Sequence, residues 1–226
     1  MAQTPARAAS AVRLFDAHCH LQDPRVAAVA PALIRAAAAS GVARFAVNGT
    51  SEKDWHLVKR MAQDHPAVVP CFGLHPWWVP ERSPDWMDSL RRFFIETPEA
   101  AVGEIGLDKG SRGKTIDFGE QIPLDRILLE TDTPDALPKL DNFSVSPVPV
   151  PSSDADTEKN IKDSESQSAA ASNESLNHPE NIRIVLKYVA SLLEMPEAEL
   201  AELSYKNATK LFSYPGSKVH PEAEAI

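Results

Sequence analysis

The sequence predicts an α/β fold whose parallel sheet suits a (β/α) barrel of the TIM type. Two observations carry this. Four short apolar runs between residues 14 and 107 alternate with segments at helical spacing, joined by brief connections. The ionisable residues that interrupt those runs stand at their C-terminal ends, which is where such barrels place their sites.

The first run, Phe15 to Leu21, carries Asp16, His18 and His20 at every second position. On a regular strand these three share one face, and Ala17, Cys19 and Leu21 share the other. Two imidazoles on one face can grip one ion. Pro24 to Ala39 reads as the first helix, with Gly41 where a helix end favours a left-handed residue. Val42 to Asn48 is the second strand, and Gly49-Thr50-Ser51 a turn whose hydroxyl is expected to cap the next helix. Trp55, Val58 and Met61 stripe that helix, which stops before His65-Pro66.

Val68 to Leu74 is the third strand and runs into His75-Pro76. Ser83-Pro84 is expected to start a third helix with Trp86, Leu90, Phe93 and Phe94 as its core stripe. Ala101 to Leu107 is the fourth strand, apolar except for Glu104. The alternation then breaks. Asp108 to Gln121 is polar and leads directly into the apolar run Ile122 to Asp132.

From Lys139 to His178 the composition shifts to Ser, Asp, Pro and Ala, with too little apolar side chain to offset ordering entropy, so a disordered acidic insert is expected over 139–178. Helical periodicity resumes at Pro179 and again after Pro196, ending at Phe212. The expected organisation is a flexible start over 1–13, a barrel core over 14–138, the insert, two closing helices of the same domain over 179–212, and a frayed tail over 213–226.

With 226 residues and 43% hydrophobic side chains, the chain has material for a sizeable core. Its net charge is −9, and the insert, with seven acids against three lysines, supplies four of those negative charges. No basic stripe marks a nucleic-acid surface, so such affinity would lean on metal and local contacts. Cys19 and Cys71 fall on expected strands and read as buried thiols, not as a secreted disulfide framework. No run of about 18 apolar residues is present to span a bilayer. A cytosolic (cytoplasmic) location is the default expectation, with an organellar transit peptide the alternative suggested by Arg7 and Arg13.

Four motifs in order give a resemblance. They are the Asp16-x-His18-x-His20 strand, Gly73-Leu74-His75-Pro76, Gly103-Glu104-Ile105-Gly106-Leu107-Asp108, and Glu130-Thr131-Asp132-Thr133-Pro134. Together they resemble the TatD family of metal-dependent deoxyribonucleases, which have an amidohydrolase-like barrel. The ending Asn207 to Phe212 is similar to the closing helix of that family. In the family the Glu104-type strand is the fourth and the Asp132-type strand the last. Strands five to seven are therefore missing here, on the order of 90 residues at about 30 per βαβ unit. The junction at Gln121-Ile122 looks like an internal deletion.

The resemblance implies a metal-dependent hydrolase that cleaves phosphodiester bonds in DNA with a metal-activated water. His18, His20, Glu104 and Asp132 would hold a divalent ion (Mg, Zn or Mn), Asp132 would take the proton of the water, and His75 would contact the substrate phosphate. Two ions are bound in the family, and the second depends mainly on two histidines from the missing strands. Asp16 is expected to orient the first strand or a ligand, and Asp108 has no assigned role. Residue chemistry leaves blander readings open: Asp132 as a turn cap before Pro134, and His75 as a structural histidine. Glu104 resists one, because a glutamate inside an apolar parallel strand is costly unless paired or metal-bound. DNA is the expected partner, with no membrane and no evident protein partner. The rival expectation is a catalytically impaired or inactive chain acting as a metal-binding or interaction protein, since a barrel short of three strands exposes sheet edges. A smaller sheet in which strand four pairs directly with the last is a third arrangement.

Overall fold

The computed structural model describes residues 12–105, 123–138, 148 and 175–220. Strands β1 (Leu14–Cys19), β2 (Val42–Gly49), β3 (Val68–Phe72) and β4 (Ala101–Val102) form a parallel sheet in the order β1-β2-β3-β4. Helices α1 (Ala30–Ala39), α2 (Trp55–Asp64) and α3 (Trp86–Glu96) follow the first three strands. The result is a curled half-barrel, a truncated TIM-type fold.

Residues 127–133 form the fifth element. Leu129 O accepts from Ala17 N at 3.0 Å, and Asp132 N donates to His18 O at 3.0 Å. This last strand-like segment therefore runs along β1, at the opposite edge of the sheet from β4. Among the described residues strand four does not pair directly with the last strand. Curvature of the sheet, not adjacency, brings their ends together.

Helix α1 starts at Ala30 rather than Pro24. The Asp23 carboxylate accepts from Arg25 N at 2.8 Å and its guanidinium at 2.9 Å, a side-chain turn that competes with helix before Pro31 sets its start. Gly41 does take a left-handed conformation, φ +98°. No hydroxyl caps α2. Asp54 reaches back, and its carboxylate accepts from the backbone N–H groups of Thr50 and Ser51 at 3.0 Å. Pro84 precedes α3 instead of opening it, and before it Pro76–Glu81 forms a 3-10 turn that the spacing did not signal. Strand four ends at Val102, short of the expected Leu107, and residues 106–122 lie outside the described residues.

The sheet is apolar on both faces, as parallel sheets are. Phe45, Val47, Val68 and Phe72 pack with Trp55, Val58 and Leu33 of the covering helices. Phe15, Ala46, Val69 and Cys71 alternate with these onto the other face, where Ala208 and Phe212 of α5 (Glu197–Phe212) cover them. Phe212 stacks on Phe15 with ring centroids 5.1 Å apart. Helix α4 (Ile182–Leu192) adds Ile182 and Leu186 to the first cluster. The expected frayed tail docks through residue 220: Tyr214 Oη donates to Glu99 O at 2.7 Å, and Ser217 is buried. Val219, half-buried against the Phe15 cluster, supplies what the tail's composition alone did not reveal. The expected insert lies outside the described residues except for Val148 and 175–178, where Asn177 and His178 are buried. Among the described residues no helix is long and apolar enough to cross a membrane.

Candidate metal centre

The C-terminal end of β1 presents His18 and His20 with their Nε2 atoms 3.1 Å apart and their rings edge-on at 84°. The Nδ1 of His20 stands 2.8 Å from Asn48 O, the last side of β2. A carbonyl only accepts, so Nδ1 carries the proton and the Nε2 lone pair faces His18. At 3.1 Å the His18 Nε2 facing that lone pair either donates its own proton to it or shares a cation with it. Glu104, just past β4, brings Oε2 to 3.6 Å from His18 Nε2 and 3.7 Å from His20 Nε2. Asp132 brings Oδ1 to 3.7 and 3.5 Å of the same atoms.

Donors held about 2.0–2.2 Å from one ion in a tetrahedral arrangement stand roughly 3.3–3.6 Å apart. The separations of 3.1 to 3.7 Å here match that spacing, and the ligand atoms of His18, His20 and Asp132 all lie within 4.8 Å of one another. A mixed imidazole and carboxylate set of this size fits one divalent ion.

His75 adds a support. Its Nδ1 accepts from Trp77 N at 3.1 Å, which leaves the proton on Nε2, 3.2 Å from Glu104 Oε1. One carboxylate oxygen of Glu104 is thus tied to His75 and the other is turned to the histidine pair. Gly73 makes this contact possible. A Cβ there would stand 2.9 Å from Glu104 N and C and closer still to its carbonyl oxygen, so only glycine lets β3 pass this near.

Asp132 has a left-handed backbone, φ +54°, unusual for a non-glycine residue. The preceding Thr131 holds it there. Asp16, fully buried, accepts from Thr131 N at 3.0 Å and from Thr131 Oγ1 at 2.6 Å. Asn177 Nδ2 donates to Thr131 O at 2.8 Å from the other side. Pairing of β1 with β2 is irregular between Asp16 and Cys19, so the expected strict alternation of Asp16, His18 and His20 is relaxed there.

Burial pushes the His18 pKa down, and the neighbouring His20 adds to that. Burial acts the same way on His20, but its hydrogen bonds to Asp132 and Asn48 outweigh it and raise the value. Burial lifts Asp16 to about 7 against the pull of its Thr131 hydrogen bonds.

The structure brings His18, His20, Glu104, Asp132 and His75 together, while Asp108 lies outside the described residues. Among the described residues no fourth histidine joins the cluster. Sequence reading missed the roles of Asn48, Thr131 and Asn177, whose contacts each involve a backbone group and carry no spacing signal; Asn177 falls in the polar insert. Beside the cluster opens a cleft of about 880 Å³, lined among others by His20, Arg25, Lys53, His75, Trp77 and Asp132.

A family model described as TatD related DNase matches the chain over residues 15–118 and 109–213. An uncharacterized metal-dependent hydrolase of Escherichia coli K12, YjjV, is 31% identical over 98 residues, 42% of this chain and 38% of that protein. The Cut9-interacting protein scn1 of Schizosaccharomyces pombe is 27% identical over 140 residues, 44% of this chain and 40% of its own length. The chain thus spans about two fifths of the length of these curated relatives. The crystal structure of YjjV, a TatD homologue, superposes with a TM-score of 0.69 at 19% identity, covering 91% of this chain and 100% of the other. A TatD family hydrolase from Entamoeba histolytica gives 0.66 at 14% identity, covering 92% and 100%. At these identities the structural likeness speaks for the fold.

Proposed function

The chain belongs to the TatD related DNase family, and on that premise we propose that it is a metal-dependent hydrolase of phosphodiester bonds in DNA. The observation that carries the reading is the convergence of two imidazole nitrogens 3.1 Å apart with two carboxylates, each 3.5–3.7 Å from both nitrogens, at the ends of three separate chain segments. We assign His18, His20, Glu104 and Asp132 as the metal ligands. Imidazole favours zinc and similar ions, carboxylate favours magnesium and manganese, and this mixed set suits Zn or Mn with Mg as a weaker occupant. A bound divalent ion would supply polarisation of a phosphoryl oxygen and a lowered pKa for the attacking water.

The residues do the rest. Asn48 keeps the His20 proton on Nδ1, so Nε2 stays available as a ligand. His75 fixes the Glu104 carboxylate and, at the wall of the cleft, is positioned to donate from Nε2 to a substrate phosphate oxygen. Asp132, more exposed than the histidines, takes the proton of the water. A cytosolic placement belongs to the same proposal.

The chain's short span relative to its curated relatives favours a second reading, in which it binds an ion and turns over little or nothing. One experiment separates the two: hydrolysis of end-labelled single-stranded DNA in Mn²⁺, Zn²⁺ or Mg²⁺ by the purified chain, beside Glu104→Ala prepared identically. Metal-dependent hydrolysis above the variant supports the enzyme. Rates equal to the variant in a folded, ion-binding sample overturn it in favour of the second reading.

A further inference from the structure

Gln22 stands two residues after His20 and is 3% exposed, although it carries an amide. Its Nε2 donates to Asn48 O at 2.7 Å and to Asp54 Oδ2 at 3.1 Å. Both of these neighbours are acceptors, so the nitrogen of the amide, not its oxygen, must face them. The Oε1 on the other side is also buried and meets no donor among the described residues. A buried carbonyl without a donor has lost its water with no replacement, a cost that an apolar side chain of the same length would avoid. What glutamine adds at this place is the pair of bonds from Nε2.

Both bonds lead to the metal centre. Asn48 O, where Gln22 donates, also accepts the proton of His20 Nδ1 at 2.8 Å. One carbonyl of β2 therefore holds the ligand ring and the chain just after it. The second bond leads to His75. Asp54 Oδ2, which accepts from Gln22, also accepts from Thr50 N and Thr50 Oγ1 at 3.0 Å. Thr50 O in turn accepts from His75 N at 2.9 Å, and His75 Nε2 is 3.2 Å from Glu104 Oε1. One amide and one carboxylate thus join the support of His20 to the support of Glu104.

We propose that Gln22 is a positioning residue for the metal centre. Through Asn48 it fixes the His20 ring with Nε2 turned to the ligand cluster, and through Asp54 it ties that ring to the His75 side. The proposal rests on the ligand assignment made above and does not require turnover.

The test compares wild type with Gln22→Met, which keeps an unbranched side chain of similar length and removes the amide, always in the full chain. Mn²⁺ affinity by calorimetry is expected to fall roughly tenfold to a hundredfold, the usual effect of losing a group that orients a ligand. Urea unfolding in EDTA is expected to keep its wild-type midpoint, because Asn48 O and Asp54 retain their other donors and the unserved carbonyl is gone. Long-range ¹H–¹⁵N NMR of the metal-free chain, at alkaline pH where imidazoles are neutral, is expected to show His20 protonated on Nδ1 in wild type and divided between both tautomers in the variant. Lower affinity with an unchanged midpoint and a mixed tautomer supports the proposal. Equal Mn²⁺ affinity overturns it, as does a loss of affinity that tracks a loss of stability or that leaves the tautomer unchanged. A wild type that binds no Mn²⁺ is a different failure: it removes the ligand assignment, and the tautomer comparison then decides alone whether Gln22 sets His20.

Discussion

Replacing Asp16 by asparagine tests how the centre is held. Asp16 is fully buried, and both of its oxygens accept from Thr131, the residue that sets the backbone of Asp132. Burial lifts its pKa from 3.8 to about 7. Between those values the unfolded chain gives up the proton while the fold keeps it, so the unfolded state binds fewer protons and stability falls as pH rises. Three units at about 1.4 kcal/mol each make this on the order of 4 kcal/mol. Asparagine cannot titrate, yet its carbonyl can accept from Thr131 N and its amide can donate to Thr131 Oγ1. Urea unfolding followed by circular dichroism, in EDTA from pH 4 to pH 8, is therefore expected to show wild type losing stability relative to Asp16→Asn as pH rises through this window. Parallel pH curves for the two proteins would refute the argument. Asp16→Ala removes both acceptors and leaves the buried Thr131 N–H unpaired, with an expected cost of about 1–3 kcal/mol and a weaker hold on Mn²⁺.

Three further outcomes follow from the same structure. Gly73→Ala forces a Cβ against the Glu104 backbone, and calorimetry should record at least about a tenfold loss of Mn²⁺ affinity; unchanged affinity would sink the close-approach argument. Phe212→Ala removes the ring stacked on Phe15 and should cost about 3–4 kcal/mol in urea unfolding, whereas a loss below about 1 kcal/mol would mean that α5 does not seal that face. Burial pushes the Cys71 thiol up to about 12 and Cys19 well above 9. Only the thiolate reacts, so at pH 8 the native chain should react with a disulfide reagent about a thousandfold more slowly than the chain in urea, and comparable rates would contradict the burial of both.

What the sequence by itself determined is whatever depends on neighbours along the chain. The two-residue spacing of His18 and His20 puts both imidazoles at one strand end, apolar runs mark β1, β2 and β3 to within a few residues, and Gly41 supplies the left-handed turn after α1. Even locally, competing hydrogen bonds were hidden. Asp23 delays α1, and Asp54, in place of a hydroxyl, braces the turn before α2. Only the tertiary structure decided how distant segments converge. Glu104 and Asp132 belong to opposite edges of the sheet and reach the same two nitrogens because the sheet curls. The unusual backbone of Asp132 is held by Asp16 and Asn177, which are 115 and 46 residues from Thr131 in sequence. The tail docks through contacts that its own composition did not announce. Periodicity records which face a side chain takes; which remote group will meet it is set by packing, and no local pattern carries that information.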